Sequence, residues 1–156
     1  MSNDVCGYMT TELSIELAKN LADFVKKSEL GIQEISRGEL YNYPSDFMPV
    51  DGEYCFLIGD APGYPNATYL IDYYQYDPIT ADIGFPANPK ERLDILINTL
   101  ISMINITKAT KMVVAITECN QIDNIKKIKF SELRDVIHTD FEKYQAPPDT
   151  LYEITI

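Results

Sequence analysis

A chain of 156 residues with 46% hydrophobic content has the material for one domain with a real core, and its apolar runs are too short to cross a bilayer. Its formal charge of −11, from 13 basic against 24 acidic side chains, opposes direct binding to nucleic acid or anionic lipid, whose phosphates call for Lys and Arg. Cys6, Cys55 and Cys119 are odd in number, far apart and without CxxC spacing, which disfavours a disulfide framework, and MSNDVCGYMTTE has neither a basic n-region nor an apolar h-region, so a cytoplasmic protein is expected.

The first predicted element is a helix over TTELSIELAKNLADFVKKSELG. Leu13, Leu17, Leu21, Phe24 and Val25 recur at helical spacing, Thr10 or Thr11 is available to cap the start, and Gly31 can close the end. From Gly31 to Pro49 the breakers Gly38, Pro44 and Pro49 predict an irregular connection with a short strand around Leu40 to Tyr43. A hairpin is expected next, with EYCFLIGD and ATYLIDYYQY as its strands and APGYPN as its turn. Alternation along the second strand would turn Tyr69, Ile71 and Tyr73 to the core and Leu70, Asp72, Tyr74 and Tyr76 outward. DPITADIGFPANP then leaves the sheet as a loop bearing Asp77 and Asp82.

NPKERLDILINTLISMINIT predicts a buried helix with Asn88 as N-cap, Pro89 at the first helical position and an apolar stripe from Leu93 to Ile104. KMVVAIT reads as a buried strand, and ECNQIDNIKKIKF as a turn with a short charged strand or connection. FSELRDVIHTDFEKY predicts a third helix, ended by Pro147 and Pro148, and LYEITI a further strand. The expected fold is a single α+β domain over residues 1–156, with a mixed, mainly antiparallel sheet of about four to six strands packed with three helices.

Charge is divided unevenly. Residues 1–87 hold four basic and fourteen acidic side chains, a balance of −10, whereas residues 88–156 hold nine and ten, a balance of −1. Between Arg37 and Lys90 no basic residue interrupts Glu39, Asp46, Asp51, Glu53, Asp60, Asp72, Asp77 and Asp82, and that window holds eight of the eleven tyrosines. Such a field attracts a basic protein, and tyrosines add contact area with few rotors to freeze. The same composition also suits plain solubility and a tyrosine-edged β core.

Signals for catalysis are thin. His138 is the one histidine and lies two residues from Asp140, a spacing that does not bring two side chains together on a helix. Neither GxGxxG nor a Walker motif occurs, and Asp72, Asp77 and Asp82 lack the ligand spacing of an EF-hand. No cofactor is expected.

With YLIDYYQYDP in its acidic middle and helices and strands around it, the chain resembles the immunity proteins of bacterial toxin–immunity systems, including those paired with contact-dependent inhibition toxins. The resemblance is one of overall build. It implies a non-catalytic complex in which carboxylates block the phosphate-binding cleft of a basic nuclease toxin. The expected interface centres on Asp72, Tyr74, Tyr76, Asp77 and Asp82, with Glu53 and Asp60 contributing at longer range. Two other classes are consistent with the same residues: a small enzyme or divalent-metal domain using Asp60, Asp72 and Asp77, and a homo-oligomer subunit that buries the tyrosines in a self-contact.

Overall fold

A computed structural model describes residues 3–59, 61–73, 76–81 and 83–156, leaving aside the side chains of residues 3, 4 and 81. Its frame is a six-stranded sheet of β1 (Asn3–Thr10), β2 (Ile32–Glu34), β3 (Tyr54–Ile58), β4 (Lys111–Glu118), β5 (Asn124–Lys129) and β6 (Thr150–Thr155), in the order β2-β3-β1-β4-β6-β5. All neighbours are antiparallel except β5 and β6, which run parallel with α4 (Leu133–Tyr144) between them in the chain. A parallel pair cannot be joined by a tight turn, so the crossover helix is a requirement of the topology.

One face of the sheet is apolar and carries the helices. Val5, Met9, Phe56, Ile58, Met112, Val114, Ile116, Tyr152 and Ile154 point to that side. Against them lie α3 (Pro89–Thr107), through Leu93, Leu96, Ile97, Leu100, Met103 and Ile104, and α4, through Leu133, Ile137 and Phe141. Helix α1 (Ile15–Lys27) packs along α3, with Phe24 and Val25 reaching the same core. The opposite face builds a smaller core from Cys6, Tyr8, Cys55, Val113, Ala115 and Leu151. It is roofed by the connection that holds Ile35, Leu40, Tyr43, Phe47 and Met48.

The α+β class, the mixed sheet and the three long helices agree with the sequence expectation. Asn88 caps α3 by accepting from the Lys90 amide at 2.8 Å, with Pro89 at the first position, as the local pattern requires. Other expectations are corrected. Helix α1 is capped by Ser14, whose hydroxyl accepts from the Leu17 amide at 3.1 Å, because Thr10 is already the end of β1 and Thr11 donates to the Thr107 carbonyl at 2.6 Å. No strand forms at Leu40 to Tyr43; a 3₁₀ turn spans Arg37–Leu40, and the short strand is β2, upstream of it.

Among the described residues the expected hairpin does not form. β3 pairs with β1 and β2, and the supposed return strand begins as a 3₁₀ turn over Ala67–Leu70. The strand that does the pairing, β1, lies in a stretch to which the sequence reading assigned no element. It runs through the middle of the sheet, and its Gly7 has no room for a side chain: a Cβ there would run into the Val113 carbonyl oxygen and the Phe56 ring.

Candidate functional site

The acidic, tyrosine-rich segment from Ala67 to Ala87 is built around a side chain from outside it. Asn66 opens the segment, its Oδ1 accepting from the Thr68 amide at 3.1 Å and hydroxyl at 2.6 Å, which winds Ala67–Leu70 into a 3₁₀ turn instead of a strand. Leu70, Ile71 and Tyr73 then enter the main core, where the Tyr73 ring packs 5.8 Å from that of Phe141. The carbonyls of this turning chain have no sheet ladder to join. They are met by Arg92, on the first turn of α3 and only 1% exposed.

Arg92 donates from Nε to the Tyr69 carbonyl at 3.0 Å, from Nη1 to those of Pro86 at 3.0 Å and Ala87 at 2.7 Å, and from Nη2 to those of Asp72 at 2.8 Å and Tyr73 at 3.5 Å. Its guanidinium lies 4.6 Å from the centre of the Tyr76 ring. One fork of donors thus ties both ends of the segment to the start of α3. Burial lowers the Arg92 pKa, an effect opposed by Tyr76, Asp72 and Tyr73.

The expected interface residues therefore differ in fate. Tyr76 is 8% exposed; its hydroxyl donates to the Phe85 carbonyl at 2.9 Å, and its ring stacks at a tilt between Tyr69 and Phe85. Asp72 is half-buried, with its backbone held by Arg92. Neither stands on a strand, so the outward face assigned to them by alternation does not exist. Asp77 is exposed. Its Oδ1 accepts from the Ile79 amide at 3.0 Å and its Oδ2 from the Thr80 hydroxyl at 2.8 Å, starting the single turn α2 (Pro78–Ala81), and these bonds hold its carboxyl below the usual range. Beside it Ile79 projects into solvent, 90% exposed. Glu53 is half-buried just before β3, where its carboxylate accepts from the Thr10 hydroxyl at 2.9 and 3.0 Å. Tyr74, Asp82 and Asp60 lie outside the described residues.

A second polar cluster joins α3 to α4. Asp94 Oδ1 accepts from Arg134 Nη1 at 2.6 Å and lies 2.7 Å from His138 Nε2, while Arg134 Nη2 also bonds Asn98. Partial burial raises the Asp94 pKa, but the His138 hydrogen bond and charge, followed by those of Arg134, outweigh it and leave the carboxyl below its ordinary range. With Lys90, Glu142 and Lys143 the cluster lines an open groove of about 730 Å³.

Sequence reading singled out neither Arg92 nor Asp94. Arg92 did leave a signal: it stands four residues before Leu96 and eight before Leu100, on the buried face of an apolar helix, where a charge must find internal partners. The four-residue spacing of Arg134 and His138 likewise marks one helix face, but only the packing of α3 beside it supplies Asp94. Among the described residues no group of three or more His, Cys, Asp or Glu is placed to hold a metal ion. Compared with protein-family models, curated proteins and solved structures, the chain has no significant match in any of the three.

Proposed function

We propose that the chain is a non-catalytic acidic binding protein that neutralises a basic protein partner, as an immunity protein blocks the active site of a cognate nuclease toxin. The observation that carries this reading is the mounting of the segment around α2. Arg92 and Tyr76 fasten its backbone, while Asp77 and Ile79 stand outside any internal packing. A recognition loop held by a rigid scaffold loses little conformational freedom when it docks, so more of its contact energy appears as affinity. Ile79 is the apolar anchor in this reading. Asp77 beside it, with the surrounding acidic excess, steers the cationic surface into place.

The proposal is tested by affinity capture from the native cell at low and high salt, followed by association kinetics with the purified captured protein. A basic protein is expected, retained at low salt. Asp77→Asn keeps an acceptor for the Ile79 amide but removes the charge; it should slow association about twofold and flatten its salt dependence. Ile79→Ser should speed dissociation about tenfold or more, since burying an isoleucine contributes roughly 1.5–3 kcal/mol. Both variants should melt within about 2 °C of the parent, as expected for exposed positions. Wild-type kinetics in both variants, or capture of no basic protein, rejects the reading.

A further inference from the structure

The sheet edge at β5 carries a surface of the other sign. β5 has a sheet neighbour on one side only, and its register with β6 is continuous from Asn124 to Lys129, without a bulge or a proline; at its end the Lys129 amide is already taken by the Glu132 carboxylate at 2.9 Å, which leaves the outward amides of Ile125 and Lys127 open. Every non-proline residue of such an edge has a backbone donor and acceptor, and half of them face away from the sheet. The other sheet edge, β2, is only three residues long.

Beside this edge, the second face of the sheet is uncovered. The roof over that face ends near Phe47, whose ring lies 5.8 Å from Lys127 Nζ. The register places Lys111, Thr155 and Lys129 in one row across β4, β6 and β5, and Val113, Glu153 and Lys127 in the next, all on the same face. Three lysines thus surround one glutamate, and none of the three forms an ion pair among the described residues. Ile125, 44% exposed, continues the face. On the helix side of the strand, Lys126 is engaged by the buried Asp140 at 2.6 Å, and Ile128 packs on the main core.

We infer that the free edge of β5, with the lysine-bearing half-face beside it, is a docking site for an extended acidic segment of another protein, taken up as a seventh strand. Lys127 and Lys129 are two residues apart, so they repeat at the spacing of same-face side chains on an added strand and meet successive carboxylates. The alternate positions of that strand fall on the side of Ile128, which favours apolar residues there. The segment is therefore acidic on one face and apolar on the other. Edge lysines ordinarily discourage strand pairing, and here they repel the identical edge of a second copy while matching a carboxylate-bearing strand. This inference rests on residues separate from Asp77 and Ile79 and stands or falls without them.

The probe is an end-capped peptide alternating glutamate with valine, titrated into ¹⁵N-labelled protein and followed by amide shifts and hydrogen exchange. Saturable shifts are expected at 124–129, and slowed exchange at the outward amides of Ile125 and Lys127. A peptide of equal charge interrupted by proline should bind about tenfold more weakly, because it cannot complete the backbone ladder. Lys127→Glu with Lys129→Glu, at two exposed positions, should also weaken binding about tenfold, with retained amide shifts outside β5 showing that the fold is kept. Shifts spread over the whole surface, equal binding of the proline peptide, or no effect of the lysine reversals would overturn the inference. A concentration-dependent doubling of mass that protects 124–129 without peptide would overturn it as well, by giving the edge to a second copy.

Discussion

Arg92 illustrates how one buried cation can replace a strand. A ladder would have consumed the carbonyls of residues 69–73 one by one, but here a single guanidinium gathers those of Tyr69, Asp72 and Tyr73, then reaches Pro86 and Ala87. Planarity and five fixed donors make that possible, so lysine is a poor substitute. Arg92→Ala should cost roughly 3–5 kcal/mol and Arg92→Lys about 2, through orphaned carbonyls and lost packing. Urea unfolding measures both; for a domain of this size the alanine variant should melt about 10 °C lower. An unchanged urea midpoint would show that the segment is held by other means. Tyr76, expected at an interface, is instead the lid on this guanidinium, and composition alone cannot tell a tyrosine that covers a cation at home from one that awaits a cation elsewhere.

Between elements, the tie from Asp94 to Arg134 and His138 sets how α3 meets α4. Asp94 has a folded pKa below its unfolded value of about 3.9, so the stability it contributes is present above that pH and is lost as pH falls through the folded value. Asp94→Asn should therefore lower the urea midpoint at pH 6, and the gap between variant and parent should close as the pH is taken below about 4. A gap that stays constant would assign the tie no ionic part. The elements legible in sequence were those with strong periodicity, compact apolar runs or clear caps: α1, α3, α4, β3, β4 and β6. β1 escaped notice because Gly7 and the polar residues around it dilute its alternation, and its burial is decided by β3 and by β4, the latter more than a hundred residues away. The segment 67–73 misled in the opposite direction. Its residues suit a strand, but Asn66 and Arg92 offer its backbone better partners.

For the molecule as a whole, three of the nine basic residues of the second half, Lys126, Lys127 and Lys129, stand together on the edge strand β5. Fold class was legible because it follows from the inventory of elements, whereas strand order depends on pairings between distant segments that no local pattern reports. Several tyrosines on the strands and on the connection that roofs them are shielded from ionisation. Burial, reinforced by Glu53 and Glu153, pushes Tyr8 up to about 12; burial and Glu34 do the same for Tyr54; and burial with Cys6 beside it raises Tyr43 well above 10. With folded values raised, the stability contributed by the neutral phenols is fully present below about pH 10 and is lost as pH rises through about 12. Absorbance at the phenolate band should show several native tyrosines ionising later than in the urea-unfolded chain, together with loss of fold near the upper end of that window. Superimposable native and unfolded titrations would contradict this.

The position of β6 constrains the order in which the nascent chain can complete itself. β6 follows β4 and β5 in the chain yet lies between them, so β5 can join the sheet only together with β6 or after it. While the ribosome is still adding residues before Thr150, β5 lacks its one native sheet neighbour. Closure of this edge is thus deferred until the β6 residues have emerged, and the basic strand reaches its final place only then.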